Sequence, residues 1–256
     1  VPGLVDLHAH VIPGIDDGPS TLEESVALVR AAADAGTRIL AATPHIHSRF
    51  PDVHPEQIAG RLDEVRDAVS GLDIELVPGG EVQLTWAAEA SPEQLQLVSY
   101  GQRGRDLLIE TPSSGILGIE FFLRAVQARG YRIVLAHPER GMLSAADLDR
   151  LEAVAALGTL LQVNAESLVS ARGELRRYAR ALCTRGLASV IASDGHSGTQ
   201  RRPITVLADG VDELTRLVGE ERAAWMSSGV PEAIVTGERL PPEPEVMKSR
   251  GFFRRR

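Results

Sequence analysis

An amphipathic helix that stops at a glycine, followed closely by a short apolar run, recurs along this chain and limits it to few folds. Gly36 stands before RILAATPH, Gly71 before IELVPGGE, Gly130 before RIVLAHPE, Gly158 before LLQVN and Gly186 before ASVIASDG. Glycine suits the left-handed residue that closes a helix, and the apolar runs suit strands buried on both faces. With LVDLHAH at the start and DLLIET at Asp106–Thr111, the reading gives seven strands. The intervening helices carry apolar stripes: Leu22, Val26, Val29 and Ala33, after a Ser20-x-x-Glu23 capping box; Ile58, Leu62, Val65 and Val69; Leu148, Leu151, Val154 and Leu157. Alternating βα units imply parallel pairing with right-handed crossovers, in a closed barrel or an open doubly wound sheet. No G-x-G-x-x-G follows the first strand, which weakens the dinucleotide-binding version.

The length of 256 residues fits one domain of this kind, and 43% apolar residues can fill its core. The domain is expected over residues 1–239, with 240–256 (LPPEPEVMKSRGFFRRR) a mobile Pro/Arg-rich tail. A net charge of −8 argues against a general nucleic-acid binder. The single cysteine, Cys183, makes no internal disulfide, no apolar run is long enough for a membrane span, and no secretory leader pattern opens the chain. A cytoplasmic location is the expectation.

The polar residues at the strand ends carry the chemistry. The first strand delivers His8 and His10, with Asp17 in the loop beyond; the second delivers His45, the third Glu81, the fourth Glu110, the fifth His137, and the seventh Asp194 and His196. In parallel α/β folds the carboxyl ends of the strands converge on the ligand-binding mouth. Residues two apart in a strand face the same way, which pairs His8 with His10 and Asp194 with His196. Five imidazoles and four carboxylates exceed what one ion takes, and they suit two or three ions with a shared carboxylate. A single histidine at a strand end is usually a hydrogen-bonded loop residue; five of seven histidines at matching ends are not explained that way. His47 and His54 read as surface loop residues, with His47 within reach of the mouth.

The ordered motifs HxH, DDGP, TPH, GGE, IE, AHPER and SDGH resemble the PHP (polymerase and histidinol phosphatase) superfamily of metal-dependent phosphoesterases, and within it the bacterial capsule-type protein tyrosine phosphatases. The resemblance runs from about Asp6 to Pro203. Carboxylates at Asp17 and Glu110, where many superfamily members have histidine, point to the tyrosine phosphatase branch. The resemblance implies a distorted (β/α)7 TIM-like barrel with the metal site at the C-terminal ends of the strands. It implies three divalent ions, manganese favoured with iron or zinc as alternatives. His8, His10, Glu81 and Asp194 would hold the first; Glu81, Glu110 and His137 the second; Asp17, His45 and His196 the third. A hydroxide held between metals would attack phosphorus directly, with no phosphoenzyme. Arg140 would hold phosphate, together with a second arginine, Arg202 or its competitor Arg201. The implied substrate is a phosphotyrosyl protein, a bacterial tyrosine kinase of exopolysaccharide or capsule synthesis. Two alternatives share the motifs: a small-molecule phosphatase acting on an ester such as histidinol phosphate, and a non-catalytic metal-stabilised module.

Other chemistries fit less well. A cysteine-dependent phosphatase needs Cys, five residues and Arg, but Cys183 meets Ser189 at that spacing. The Asp147–Asp149 pair starts a helix rather than ending a strand, and no GK[ST] phosphate loop occurs. A binuclear amidohydrolase would use a carboxylated lysine on a middle strand, and the only lysine is Lys248 in the tail.

Overall fold

Four of the five marker glycines adopt the left-handed conformation expected of them: φ is 92° at Gly36, 93° at Gly130, 87° at Gly158 and 76° at Gly186. Gly71 does not, because the helix before it already ends at Ala68. A computed structural model of the chain describes residues 3–198 and 202–244. Its first half runs β1 (Leu4–Ala9), α1 (Leu22–Asp34), β2 (Thr37–Ala42), β3 (His45–Ile46), α2 (Ile58–Ala68), β4 (Glu75–Pro78), β5 (Glu81–Gln83), α3 (Leu84–Glu89), α4 (Pro92–Val98) and β6 (Asp106–Glu110). The second half runs α5 (Ile119–Gln127), β7 (Arg132–Ala136), α6 (Pro138–Gly141), α7 (Asp147–Ala156), β8 (Leu160–Asn164), α8 (Ala165–Val169), α9 (Gly173–Thr184), β9 (Ala188–Ala192), α10 (Val206–Val218), α11 (Glu220–Ala224) and α12 (Val230–Thr236). A π-helical turn, Trp225–Gly229, joins the last two helices.

All strand pairs are parallel, in two open sheets ordered β1-β2-β4 and β3-β5-β6-β7-β8-β9. The seven expected strands are therefore nine segments among the described residues, because two of them break. RILAATPH breaks at Thr43-Pro44, where proline has no N–H to give a ladder. IELVPGGE breaks at Gly79-Gly80, and a Cβ on Gly80 would stand 3.2 Å from both Ile46 Cγ1 and Val98 Cβ. Pairing resumes beyond the breaks with His45 opposite Glu81. A parallel bridge from Ala9 to Gly195 links the end of the last strand back to the first, with the His10 N–H donating to Gly195 O at 2.8 Å.

One continuous apolar core lies inside and around the strands. The buried face of α1 is Ser25, Leu28, Val29 and Ala32; of the expected stripe Val29 is buried, Val26 and Ala33 are half-buried, and Leu22 is 37% exposed. Its cap is Thr21, whose hydroxyl accepts the Glu24 N–H; the acidic residue reaches back from Glu24 to the Ser20 N–H, one position later than the sequence box suggested. The other stripes point inward as read, except that Leu157 is half-buried. Cys183 is buried packing. The expected tail begins differently: Pro241 O accepts the Trp225 indole N–H, and Pro244 O and Glu243 accept from the buried Arg222 guanidinium. The segment up to Pro244 is thus fastened to the body, and 245–256, with FFRRR, lies outside the described residues.

Candidate metal centre

Backbone geometry at the strand ends aims the polar side chains. His137 after β7, Asp194 after β9 and Arg202 have φ of 35°, 54° and 51°, a left-handed conformation costly for residues other than glycine. Strain of this kind persists where the surroundings enforce it, and three of the four such residues among the described residues belong to one site.

Glu81 and Asp194, both almost fully buried, form the centre. His8 Nε2 lies 3.3 Å from Glu81 Oε2 and 3.5 Å from Asp194 Oδ1, and His10 Nε2 lies 3.6 Å from each of the same two oxygens. Those separations are long for hydrogen bonds and right for donors that share a cation. His45 Nδ1 approaches Glu81 Oε2 at 2.9 Å, and His137 Nε2 approaches Glu81 Oε1 at 2.8 Å. On the outer side, Asp17 Oδ1 lies 3.2 Å from His196 Nε2 and 3.4 Å from His45 Nε2.

Ligand-sized groupings emerge from these contacts. His8, His10 and Asp194 form one; His8, Glu81 and His137 another; His45, Glu81 and Glu110 a third; and His10, Asp17, His45 and His196 a fourth. Every one of the nine residues singled out at the strand ends falls in at least one grouping. The groupings overlap more than a three-way division suggests, since His45 stands with Glu81 and Glu110 as well as with Asp17.

The histidine tautomers fit cations. His8 Nδ1 meets Gln162 Oε1 at 2.9 Å, His10 Nδ1 meets Asp16 Oδ2 at 2.6 Å, and His196 Nδ1 meets the Asp194 carbonyl at 2.8 Å. Each partner is an acceptor, so each Nδ1 carries the hydrogen and each Nε2 turns a lone pair inward. The Nε2 atoms of His8 and His10 are buried with no hydrogen-bond partner. Buried lone pairs facing two carboxylates require positive charge between them.

The proton affinities carry the same demand. Burial alone would push the Glu81 and Asp194 carboxyls up, yet the surrounding histidines hold both well below the usual carboxylate range. Burial pulls the His10 ring down, but Asp16 and the central carboxylates outweigh it and leave His10 well above its ordinary value. His45 is likewise raised to about 9 by Asp17 and Glu81 in spite of burial. Without cations, His8, His10 and His45 draw protons onto their rings; divalent ions at the Nε2 lone pairs would supply that positive charge instead.

Four contributors escaped the sequence reading. Asp16 does not stand out beside Asp17 in the sequence, yet its side chain is buried, fixes the His10 ring and accepts the N–H groups of Gly18 and His45 at 3.0 Å each. Strand β8 delivers no imidazole or carboxylate, but its QVN end supplies two amides. Gln162 holds His8 and donates to Asn164 Oδ1 at 2.7 Å, and Asn164 Nδ2 donates to Asp194 Oδ2 at 2.8 Å. Glu139 sets the base of this chain by accepting the Asn164 backbone N–H. Alternating residues on one strand were the only available signal, and amides at such places are common.

Both candidate arginines reach the cluster. Arg140 Nη1 donates to Asp194 Oδ2 at 2.6 Å, and Arg202 Nη1 lies 2.8 Å from His196 Nε2. Arg201 lies outside the described residues. His47, read as a loop residue within reach of the mouth, has its Nε2 3.8 Å from Glu110 Oε2. His54 is exposed, as expected.

Comparisons with known proteins place the fold and the family. The chain is 28% identical over 258 residues to the tyrosine-protein phosphatase YwqE of Bacillus subtilis, covering 98% of this chain and 100% of the relative. It is 24% identical over 240 residues to the tyrosine-protein phosphatase CpsB of Streptococcus pneumoniae, covering 91% and 98%. A crystal structure from work on YwqE and CpsB, described as unique metal-dependent tyrosine phosphatases, superposes with a TM-score of 0.82 at 24% identity over 94% of this chain and 99% of that one. An amidohydrolase of Mycoplasma synoviae shares the fold more loosely, with a TM-score of 0.66 at 12% identity over 96% and 90%. The family model for capsular polysaccharide synthesis, CpsB/CapC, matches residues 4–236, and the chain belongs to that family.

Proposed function

We propose that this protein is a metal-dependent protein-tyrosine phosphatase that acts on a bacterial tyrosine kinase of capsule or exopolysaccharide synthesis. The carrying observation is the pair of buried, partnerless Nε2 atoms on His8 and His10 facing Glu81 and Asp194. The names of the relatives supply the reaction class. His8, His10, Asp17, His45, Glu81, Glu110, His137, Asp194 and His196 are the proposed ligands of up to three ions. Mixed imidazole and carboxylate donors accept Mn²⁺, Fe²⁺ or Zn²⁺, and manganese is the proposed native metal. The bridge between Ala9 and Gly195 supports closure of the two sheets into a distorted seven-stranded barrel, with the ligands at its mouth.

Bound divalent ions supply Lewis acidity toward phosphoryl oxygen and bring the pKa of water down toward neutrality. The protein's own groups do the rest. Gln162 and Asp16 keep the His8 and His10 rings in the ligating tautomer. Arg140 and Arg202 stand at the rim, where their planar guanidinium groups can each hold two phosphate oxygens. Hydrolysis forms a bond from water oxygen to phosphorus and breaks the bond to the tyrosyl oxygen. That oxygen leaves as a phenolate whose conjugate acid has a pKa of about 10, so a strong general acid is not required. Among the described residues no helix is long and apolar enough to cross a membrane.

Steady-state rates on phosphotyrosine, phosphoserine and histidinol phosphate test the reading. A clear preference for phosphotyrosine in kcat/KM is expected. Equal or faster turnover of histidinol phosphate would replace the proposal with a small-molecule phosphatase, and no turnover of any ester by metal-loaded protein would leave a metal-stabilised module.

A further inference from the structure

A cavity of about 620 Å³ opens beside the metal cluster; Glu110 belongs to both, and His47, also on the cavity, has its Nε2 3.8 Å from Glu110 Oε2. One wall is the start of α3 with Leu84; the other is the loop from Pro112 to Gly118 and the first turn of α5, with Phe122 inside. The lining combines apolar residues, Leu84, Leu117, Ile119 and Phe122 among them, with polar ones that include Arg49. That guanidinium is exposed and makes no ion pair or hydrogen bond among the described residues. The space exceeds what one phosphorylated ring needs.

A second observation lies on the same loop. Only four large apolar side chains are exposed among the described residues. Leu117, on the cavity wall, is 81% exposed, and Phe121, edge to face with Phe122, is 73% exposed. Leu143, 72% exposed, comes within 3.0 Å of where a Cβ on Gly115 would stand. Apolar side chains gathered at the mouth of a site, rather than scattered, mark a binding surface.

We infer that this cavity is the subsite for the polypeptide around the phosphotyrosine: it seats the tyrosyl ring and an adjoining apolar residue, and Arg49 at its rim selects an acidic flank. The inference rests on the phosphatase reading. Its occupant is a peptide because the cavity begins at a ligand of the cluster, so a phosphate engaged there projects its ester group into the cavity. The unpaired Arg49 cation on the cavity makes an acidic flank the locally complementary one. A small phosphate ester would leave most of the apolar wall unused.

The test compares free phosphotyrosine with two phosphotyrosyl peptides, one flanked by glutamates and one by lysines, on metal-loaded protein. Wild type should favour the acidic peptide over the basic one. Arg49→Glu should shift that ratio of kcat/KM by about tenfold, largely through KM. Ser114→Trp, at an exposed cavity position, should lower the ratio of peptide to free phosphotyrosine in kcat/KM by a similar factor. Metal content equal to wild type would show that both variants fold. Ratios unchanged in both variants, with phosphotyrosine still hydrolysed, would overturn the subsite and leave the phosphatase reading standing. Wild-type protein that hydrolyses none of the three would overturn both.

Discussion

At the residue scale the candidate ligands were readable because histidine and carboxylate are rare at strand ends without a reason. The residues that hold them were not readable in the same way. Gln162 has no chemistry of its own, and its importance lies in a 2.9 Å contact with His8 Nδ1 that only folding creates. Gln162→Leu is expected to weaken metal binding by about tenfold or more, since outer partners of ligating histidines commonly contribute on that scale. Competition against a chelator of known affinity would measure it. Gln162→Glu keeps an acceptor for His8 and should fall between the two. Affinity for metal unchanged in the leucine variant would show that the amide does not set the tautomer. Cys183 gives an independent check on the interior: burial pushes its thiol up to about 12, so the native protein should resist alkylation at pH 8 and react fully once unfolded.

At the element scale the βα repeat was legible from glycines and apolar runs, but the interruptions were not. TPH and GGE looked like simple strand ends. Thr43-Pro44 and Gly79-Gly80 instead divide two strands, and pairing restarts with His45 opposite Glu81. The buried face of α1 is rotated from the expected stripe: Val29 lies on both, but Leu28, six residues on from Leu22 and on another side of the helix, faces the core while Leu22 does not. The junction after β9 is the tightest part of the site. A Cβ on Gly195 would stand 2.4 Å from Ile204 Cδ1 and 2.9 Å from the Ile204 Cα, which is backbone and cannot swing away. Gly195→Ala should therefore destabilise the protein by about 1–3 kcal/mol and displace Asp194 and His196 on either side. Urea unfolding checks the first effect and metal content the second. A variant as stable as wild type with full metal content would show that the junction is looser than the structure implies.

At the scale of the whole molecule the α/β class and parallel pairing follow from the repeat, whereas the grip on the C-terminal segment does not. That segment is rich in proline and charge, which favours a loose extension when read alone. Arg222 reverses the outcome locally. Its buried guanidinium donates to Gly186 O, Ala188 O and Pro244 O, pairs with Glu243 and lies 5.2 Å from the Trp225 ring. Arg222→Ala would take this donor from the buried Ala188 carbonyl and the half-buried Gly186 and Pro244 carbonyls and should cost about 3 kcal/mol, read as a lower midpoint in urea. The contacts tie the N-terminal end of β9 to the segment after α12, away from the ligands at the other end of that strand, so metal affinity should change little.

The central claim is that the imidazoles and carboxylates gathered around Glu81 and Asp194 hold the ions on which hydrolysis depends. The direct measurement is phosphotyrosine turnover while manganese is titrated into metal-stripped protein. The structure predicts no turnover at the start, a rise with each equivalent bound, and a plateau at two to three ions per chain. Full turnover by the stripped protein, or manganese that binds without restoring turnover, would contradict it.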